Sequence, residues 1–125
     1  YCPTTYPSVL EYTAHSSPIG FLFYTGTQFP SEYKNDAFAA MRGSWNRSQP
    51  SGYEVVRVHF DASGKPQSIT PFVTGWLYEE NGAPAQFGRV AGVAQYVDGS
   101  LLISDDENGV IYRVVYTGGS TNAGK

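Results

Sequence analysis

The chain repeats itself in units of a few short strands, and this repeat restricts its fold more than any other feature. Pro18-Ile19-Gly20-Phe21-Leu22-Phe23-Tyr24 matches Val90-Ala91-Gly92-Val93-Ala94-Gln95-Tyr96 at an offset of 72. Phe38-Ala39-Ala40 matches Leu101-Leu102-Ile103 at an offset of 63, and Val56-Arg57-Val58 matches Tyr112-Arg113-Val114 at an offset of 56. The offset shrinks only between the apolar runs, so the two copies share strands and differ in loop length. Short strands repeated with variable loops point to radial β architecture, with propeller blades of roughly 40–50 residues as the first candidate.

Eight strands are predicted: Val9–Thr13, Ile19–Tyr24, Ala37–Met41, Tyr53–Phe60, Ser68–Val73, Val90–Tyr96, Leu101–Ser104 and Val110–Thr117. Alternation is clearest in Val56-Arg57-Val58-His59-Phe60, with the apolar side chains on one face and Arg57 and His59 on the other. This pattern makes Arg57 and Arg113 solvent-facing and His59 inert. Asp98-Gly99 marks a tight hairpin, Asp61-Ala62-Ser63-Gly64 another turn, and Phe29–Tyr33 a short helical turn. Fourteen Gly and eight Pro supply the remaining punctuation. The expected fold is therefore all-β, with antiparallel blade-like sheets amounting to about two and a half blades over residues 1–117 and a flexible tail over 118–125. Such a piece cannot close a ring of four to eight blades. It calls for missing blades or self-association, because open sheet edges invite pairing.

Composition excludes several partners. A net charge of −3 offers no basic patch, which argues against nucleic acid. No apolar run approaches the ~18 residues of a membrane span. Ten Tyr, seven Phe and two Trp against 15% charged residues argue against disorder. The chain begins Tyr1-Cys2-Pro3, which suggests a mature or clipped product. Its single Cys2 either bonds to a segment outside the chain or remains a free thiol.

Lettering the strands of a blade A to D from the axis outward places the D-to-A and B-to-C connections on one face. His15 lies in the first D-to-A connection, Arg42 to Arg47 in a B-to-C connection, Arg89 in the next D-to-A connection, and Asp105, Asp106 and Asn108 in the next B-to-C loop. Strand order alone thus gathers the chemically loaded residues. Within that set, Arg42-Gly43-Ser44-Trp45-Asn46-Arg47 is poor turn chemistry but good ligand chemistry. Guanidinium forks grip carboxylates, and an indole offers a flat face to a ring.

These segments resemble the soluble PQQ-dependent sugar dehydrogenases, nearest the sorbosone and fungal pyranose dehydrogenase branch. The resemblance is carried by Ala14–Tyr24, Phe29–Tyr33, Gly43-Ser44-Trp45-Asn46-Arg47, Gly52–Val58, Gly88-Arg89 and Asp98–Asp106. It implies the C-terminal blades of a six-bladed, secreted enzyme that oxidises an aldose, sorbosone or pyranose. It also implies His15, Trp45, Asn46, Arg47 and Arg89 as contacts to PQQ, with Arg89 directed at a carboxylate. Many members carry His where this chain has Arg42. The catalytic His and the calcium ligands belong to blades outside this chain, so no catalytic or metal-binding residue is assigned within it.

Alternatives stand beside that reading. Trp45 could be a core aromatic, His15 a turn cap and Arg89 a surface cation. Asp105-Asp106-Glu107-Asn108-Gly109 has oxygen ligands for a hard cation but reads better as an acidic turn. Asn46-Arg47-Ser48 fits the N-glycosylation pattern, which would conflict with cofactor contact. A small secreted glycan- or protein-binding module without redox activity is the competing function, because abundant Tyr and Trp suit carbohydrate stacking as well as a propeller core. A structural remnant with no activity of its own is a third.

Overall fold

A computed structural model describes residues 2–118. Two antiparallel sheets dominate it. The first has the order β1-β2-β3-β4, from β1 (Pro18–Phe23), β2 (Ala37–Met41), β3 (Glu54–Phe60) and β4 (Pro66–Val73). A two-stranded hairpin follows, β5 (Leu77–Glu80) with β6 (Ala83–Gln86). The third unit is the sheet β7-β8-β9, from β7 (Val90–Gln95), β8 (Leu101–Asp105) and β9 (Val110–Val114). Short 3-10 turns at Cys2–Thr4 and Ser31–Tyr33 are the only helical elements among the described residues.

The two sheets are copies down to their irregularities. Pro18 pairs with Met41 and Gly20 with Ala40 across a register shift, and Val90 pairs with Asp105 and Gly92 with Ser104 across the same shift. That pairing equates Ala40 with Ser104, an offset of 64 (104 − 40), one more than the sequence match of 63. The correction matters because a one-residue slip moves every side chain to the other face. In the true register Ala39 corresponds to Ile103, and Phe38 to Leu102. The slip arose because β2 is buried at all five positions and carries no alternation to fix its phase.

The core lies between the sheets. Phe38, Ala40 and Val55 of the first sheet meet Val90, Leu101 and Ile103 of the second, with Tyr24, Phe29 and Trp76 closing the cluster. Tyr24 is fully buried, and its hydroxyl donates to Gly99 O (2.8 Å) while accepting from Gln28 N and Phe29 N. The innermost strands touch: a Cβ on Gly20 would lie 3.1 Å from Gly92 Cα. That approach requires glycine at position 20, whereas a Cβ on Gly92 would meet only Ser104 Oγ, at 3.2 Å.

Each sheet's third strand carries an arginine that clamps the connection between its first two strands. Arg57 Nε donates to buried Asp36 (2.5 Å), and its guanidinium lies 3.9 Å from the Tyr33 ring centroid. His59 Nδ1 reaches the same carboxylate at 3.1 Å. Burial alone would raise the Asp36 pKa, but the Phe60 N–H, Arg57 and His59 hold it below the ordinary value. In the second sheet Arg113 Nε donates to Ser100 Oγ (3.0 Å), and Nη2 to Asp98. Arg57 is thus not the solvent-facing group that alternation suggested, because the β1–β2 connection covers it, whereas His59 stays half-exposed while reaching Asp36.

Two further expectations change. Residues 9–13 form no strand. Tyr12 instead packs on the outer face of the first sheet against Ala39, Met41 and Val56, and its hydroxyl bonds to Glu54. The β5–β6 hairpin was not anticipated. The Cys2 side chain and residues 119–125 of the expected tail lie outside the described region.

Candidate functional site

The pairing places the connection before β1, the β2–β3 connection, the residues leading into β7 and the β8–β9 turn at one end of the sheets. Backbone bonds stitch the first two together. Arg42 N donates to Ser17 O (3.0 Å) and Gly43 N to Ser16 O (2.9 Å). Within the Arg42–Arg47 loop, Ser44 N donates to Ser51 O and Ser51 N to Ser44 Oγ, while the Tyr53 hydroxyl bonds to Ser44 O. Arg47 Nη1 and Ser51 Oγ both donate to Ala14 O, at 2.6 and 3.1 Å. The loop is therefore anchored at its base and presents its tip. Trp45, at that tip, is 93% exposed, which removes the core-aromatic alternative.

Two clefts open here. One, of about 200 Å³, is lined by His15, Ser17, Trp45 and Asn46. The other, of about 450 Å³, shares Ser17 and Trp45 and adds Arg42, Tyr53, Gln86 and Arg89. Four of the five residues singled out from the sequence, His15, Trp45, Asn46 and Arg89, thus line adjoining clefts. Arg47 lines neither and spends its guanidinium on the Ala14 carbonyl. His15 adopts a left-handed backbone conformation (φ 67°) in the turn that precedes β1.

The β8–β9 turn organises the second half of the site. Asp105 is 2% exposed and accepts from six donors. They are Trp76 Nε1 (3.2 Å), Arg89 N (3.0 Å), Glu107 N (3.0 Å), Asn108 N (3.1 Å), Asn108 Nδ2 (2.9 Å) and the Tyr112 hydroxyl (3.3 Å). Burial alone would raise its pKa, but these bonds, led by the Arg89 N–H, bring it down to about 2. The acidic segment is therefore a self-satisfied turn. No group of three His, Cys, Asp or Glu side chains gathers as a metal site among the described residues.

This carboxylate also explains Gly88-Arg89. A Cβ on Gly88 would sit 2.1 Å from Asp105 Oδ2, so only glycine fits. With Gly88 pressed on Asp105, Arg89 leaves the turn toward the cleft. Asp106 then bridges two arginines from different sheets: Arg42 Nη1 at 2.8 Å and Arg89 Nε at 2.7 Å. The Arg89 bond and the Arg42 bond hold the Asp106 carboxyl below its ordinary range, and Asp106 in turn raises the Arg89 pKa. Arg42 stood out in the sequence within the Arg42–Arg47 segment and as a departure from the family, but its partnership with Asp106 had no local signal. The hairpin that brings Gln86 to the cleft had one: Asn81-Gly82, both at positive φ, is the turn pair favoured by two-residue hairpins.

Comparison with known proteins decides the family. A profile described as TrAA12-like matches residues 1–117. The chain belongs to that family. It is similar to an uncharacterized protein of Borreliella burgdorferi, at 40% identity over 111 residues, covering 88% of this chain and 28% of the relative. It is also similar to the pyrroloquinoline quinone-dependent pyranose dehydrogenase of Coprinopsis cinerea, at 30% identity over 115 residues. That match covers 80% of this chain and 15% of the relative. The chain thus spans well under a third of the curated relatives it matches. Among solved structures, the holo PQQ domain of the Coprinopsis cinerea enzyme superposes with a TM-score of 0.60 at 24% identity, over 82% of this chain and 27% of that one. A calcium structure of the Trichoderma reesei AA12 enzyme superposes with a TM-score of 0.54 at 26% identity, over 78% of this chain and 24% of that one. This TrAA12-like chain is accordingly an all-β piece with antiparallel sheets, homologous to part of a PQQ-dependent sugar dehydrogenase.

Proposed function

We propose that this chain forms the C-terminal blades of a PQQ-dependent sugar dehydrogenase and supplies loops that hold the cofactor. The observation that carries the reading is the convergence of Arg42 and Arg89, from different sheets, on one cleft beside the exposed face of Trp45. PQQ is a flat ring bearing carboxylates, and the donor set fits it: two guanidinium groups for the carboxylates and an indole face for the ring. When bound, PQQ supplies the two-electron acceptor chemistry for sugar oxidation. The chain's own residues bind and orient. Arg42 and Arg89 carry positive charge to the cleft, Trp45 and Tyr53 wall it, and Ser17, His15 and Asn46 offer polar groups beside it. No side chain here is assigned to proton abstraction, and calcium ligation is assigned to blades beyond this chain.

The outer faces support an incomplete propeller. Phe21 and Phe23 on β1 are each 56% exposed beside Ala39, Met41 and Val56. On the other side Ala94, Leu102 and Ile111 line an open groove of about 260 Å³. Faces this apolar suit further blades of the same kind, or a second copy, as partners. Secretion, implied by the resemblance, belongs to the same proposal. The competing reading, a glycan-binding module, draws on the exposed Trp45.

Titration of the chain with PQQ, followed by quenching of tryptophan emission, tests the proposal. Saturable quenching that disappears in Arg42→Ala, which keeps both tryptophans, supports it. Quenching by oligosaccharides but not by PQQ would transfer the site to the glycan-binding reading.

A further inference from the structure

We propose that Asp106 is a positioning residue, which holds Arg42 and Arg89 convergent so that the cleft selects ligands bearing two or more carboxylates. The inference rests on reading this face as the cofactor-holding one and adds a specificity determinant to it. Arg42 leaves the end of β2, and Arg89 precedes β7, so backbone structure alone does not couple their side chains. The coupling is Asp106, whose two oxygens each take one arginine, Oδ2 from Arg42 Nη1 and Oδ1 from Arg89 Nε.

This arrangement leaves donors over. Each guanidinium has five N–H groups, and only one nitrogen of each is given to Asp106. Arg89 Nη1 additionally lies 3.6 Å from Glu107 Oε2, a looser contact. Both arginines line the 450 Å³ cleft, whereas Asp106 does not. The carboxylate therefore braces the pair from behind and does not fill the ligand's place. It also offsets the mutual repulsion of two like charges that would otherwise splay them apart. A ligand with a single carboxylate needs one arginine and is indifferent to the spacing. A ligand with two, mounted on a rigid ring, engages both only while the spacing is held.

The test compares isophthalate with benzoate, matched aromatic acids carrying two carboxylates and one, by isothermal titration calorimetry. The proteins are the chain, Asp106→Asn and Asp106→Ser, with circular dichroism to verify the β fold. The exposed turn tolerates either change, and Ser covers the case in which Asn retains one acceptor contact. The expected result is that isophthalate weakens about tenfold, near the cost of one charge-assisted contact. Benzoate should shift by less than about threefold, within the range of a single exposed ion pair. The direction is diagnostic, because removing a negative charge should by itself strengthen anion binding. Equal changes for the two acids, tightening of both, or no isophthalate binding by the unmodified chain would overturn the proposal. A PQQ titration in parallel separates the two claims. Isophthalate selectivity that depends on Asp106 without PQQ binding keeps the clamp and removes the cofactor reading.

Discussion

Replacing Asp105 with Ala should unfold the β8–β9 turn and release the Arg89 backbone held against it, and its cost follows from the bonds that this carboxylate makes. Its pKa, about 2 against an ordinary 3.8, reflects preferential stabilisation of the ionised form by about 2 kcal/mol at 1.36 kcal/mol per pKa unit. Asp105→Asn, which keeps the shape but loses the charge, should therefore cost about that much. Asp105→Ala also strands buried donors, chiefly the indole N–H of Trp76, itself 5% exposed, and the amide of Arg89. Each unsatisfied donor adds about 1–3 kcal/mol, so the total should reach about 4 kcal/mol. In urea, with slopes of about 1–3 kcal/mol/M, the midpoint seen by circular dichroism should fall by about 2 M. The pH dependence follows from the lowered pKa. The contribution is fully present above pH 3.8 and is lost as pH falls toward about 2, because the unfolded chain takes up the proton first. Asp105→Asn should accordingly show a shallower loss of stability over that window than the unmodified chain. A cost for Asp105→Ala below about 1 kcal/mol, or identical acid profiles, would refute the assignment of Asp105 as the turn's organiser.

Three other outcomes are expected. Gly88→Ala should destabilise by about 2 kcal/mol or more in urea unfolding, as overpacking does, because its Cβ would meet Asp105 Oδ2 at 2.1 Å; a neutral effect would show that the turn relaxes freely. Arg57→Ala should cost about 3 kcal/mol, since it leaves Asp36 buried with only His59 and the Phe60 amide. Arg113→Ala, at a half-exposed position, should cost much less, and equal losses would contradict the burial argument. The chain supplied with PQQ and calcium should not oxidise glucose or sorbosone in a dye-linked assay, because neither His15 nor His59 matches the family's catalytic base; turnover comparable to a full-length homologue would overturn this.

What could be read in the sequence depended on whether local chemistry carried the signal. Seven of the strands announced themselves through apolar runs bounded by turn residues, and strand order alone brought His15, Trp45, Asn46 and Arg89 to one end. The phase of β2 was hidden because Ala37–Met41 is buried on both sides and does not alternate. Val9–Thr13 has strand composition, but it lies on the outer face of the sheet, where Tyr12 docks, and joins no ladder. The β5–β6 hairpin escaped because Glu79, Glu80 and Pro84 make its strands polar and short, although Asn81-Gly82 marked the turn. The polar partnerships were the least visible. Arg57 with Asp36, and Asp106 with Arg42 and Arg89, join residues 21, 64 and 17 positions apart in the chain. No periodicity reports such pairs.

The central claim, that this face holds PQQ through its arginines, is tested most directly by the PQQ affinity of Arg89→Ala measured against that of Arg113→Ala. Arg113 is the suitable control because it sits at the opposite end of the second sheet, whereas Arg57 is needed to cover Asp36. Arg89→Ala should weaken PQQ binding by about one to two decades, the range for a lost charge-assisted contact, while Arg113→Ala leaves it within about threefold of the unmodified chain. Equal losses in the two variants, or none in either, would contradict the account.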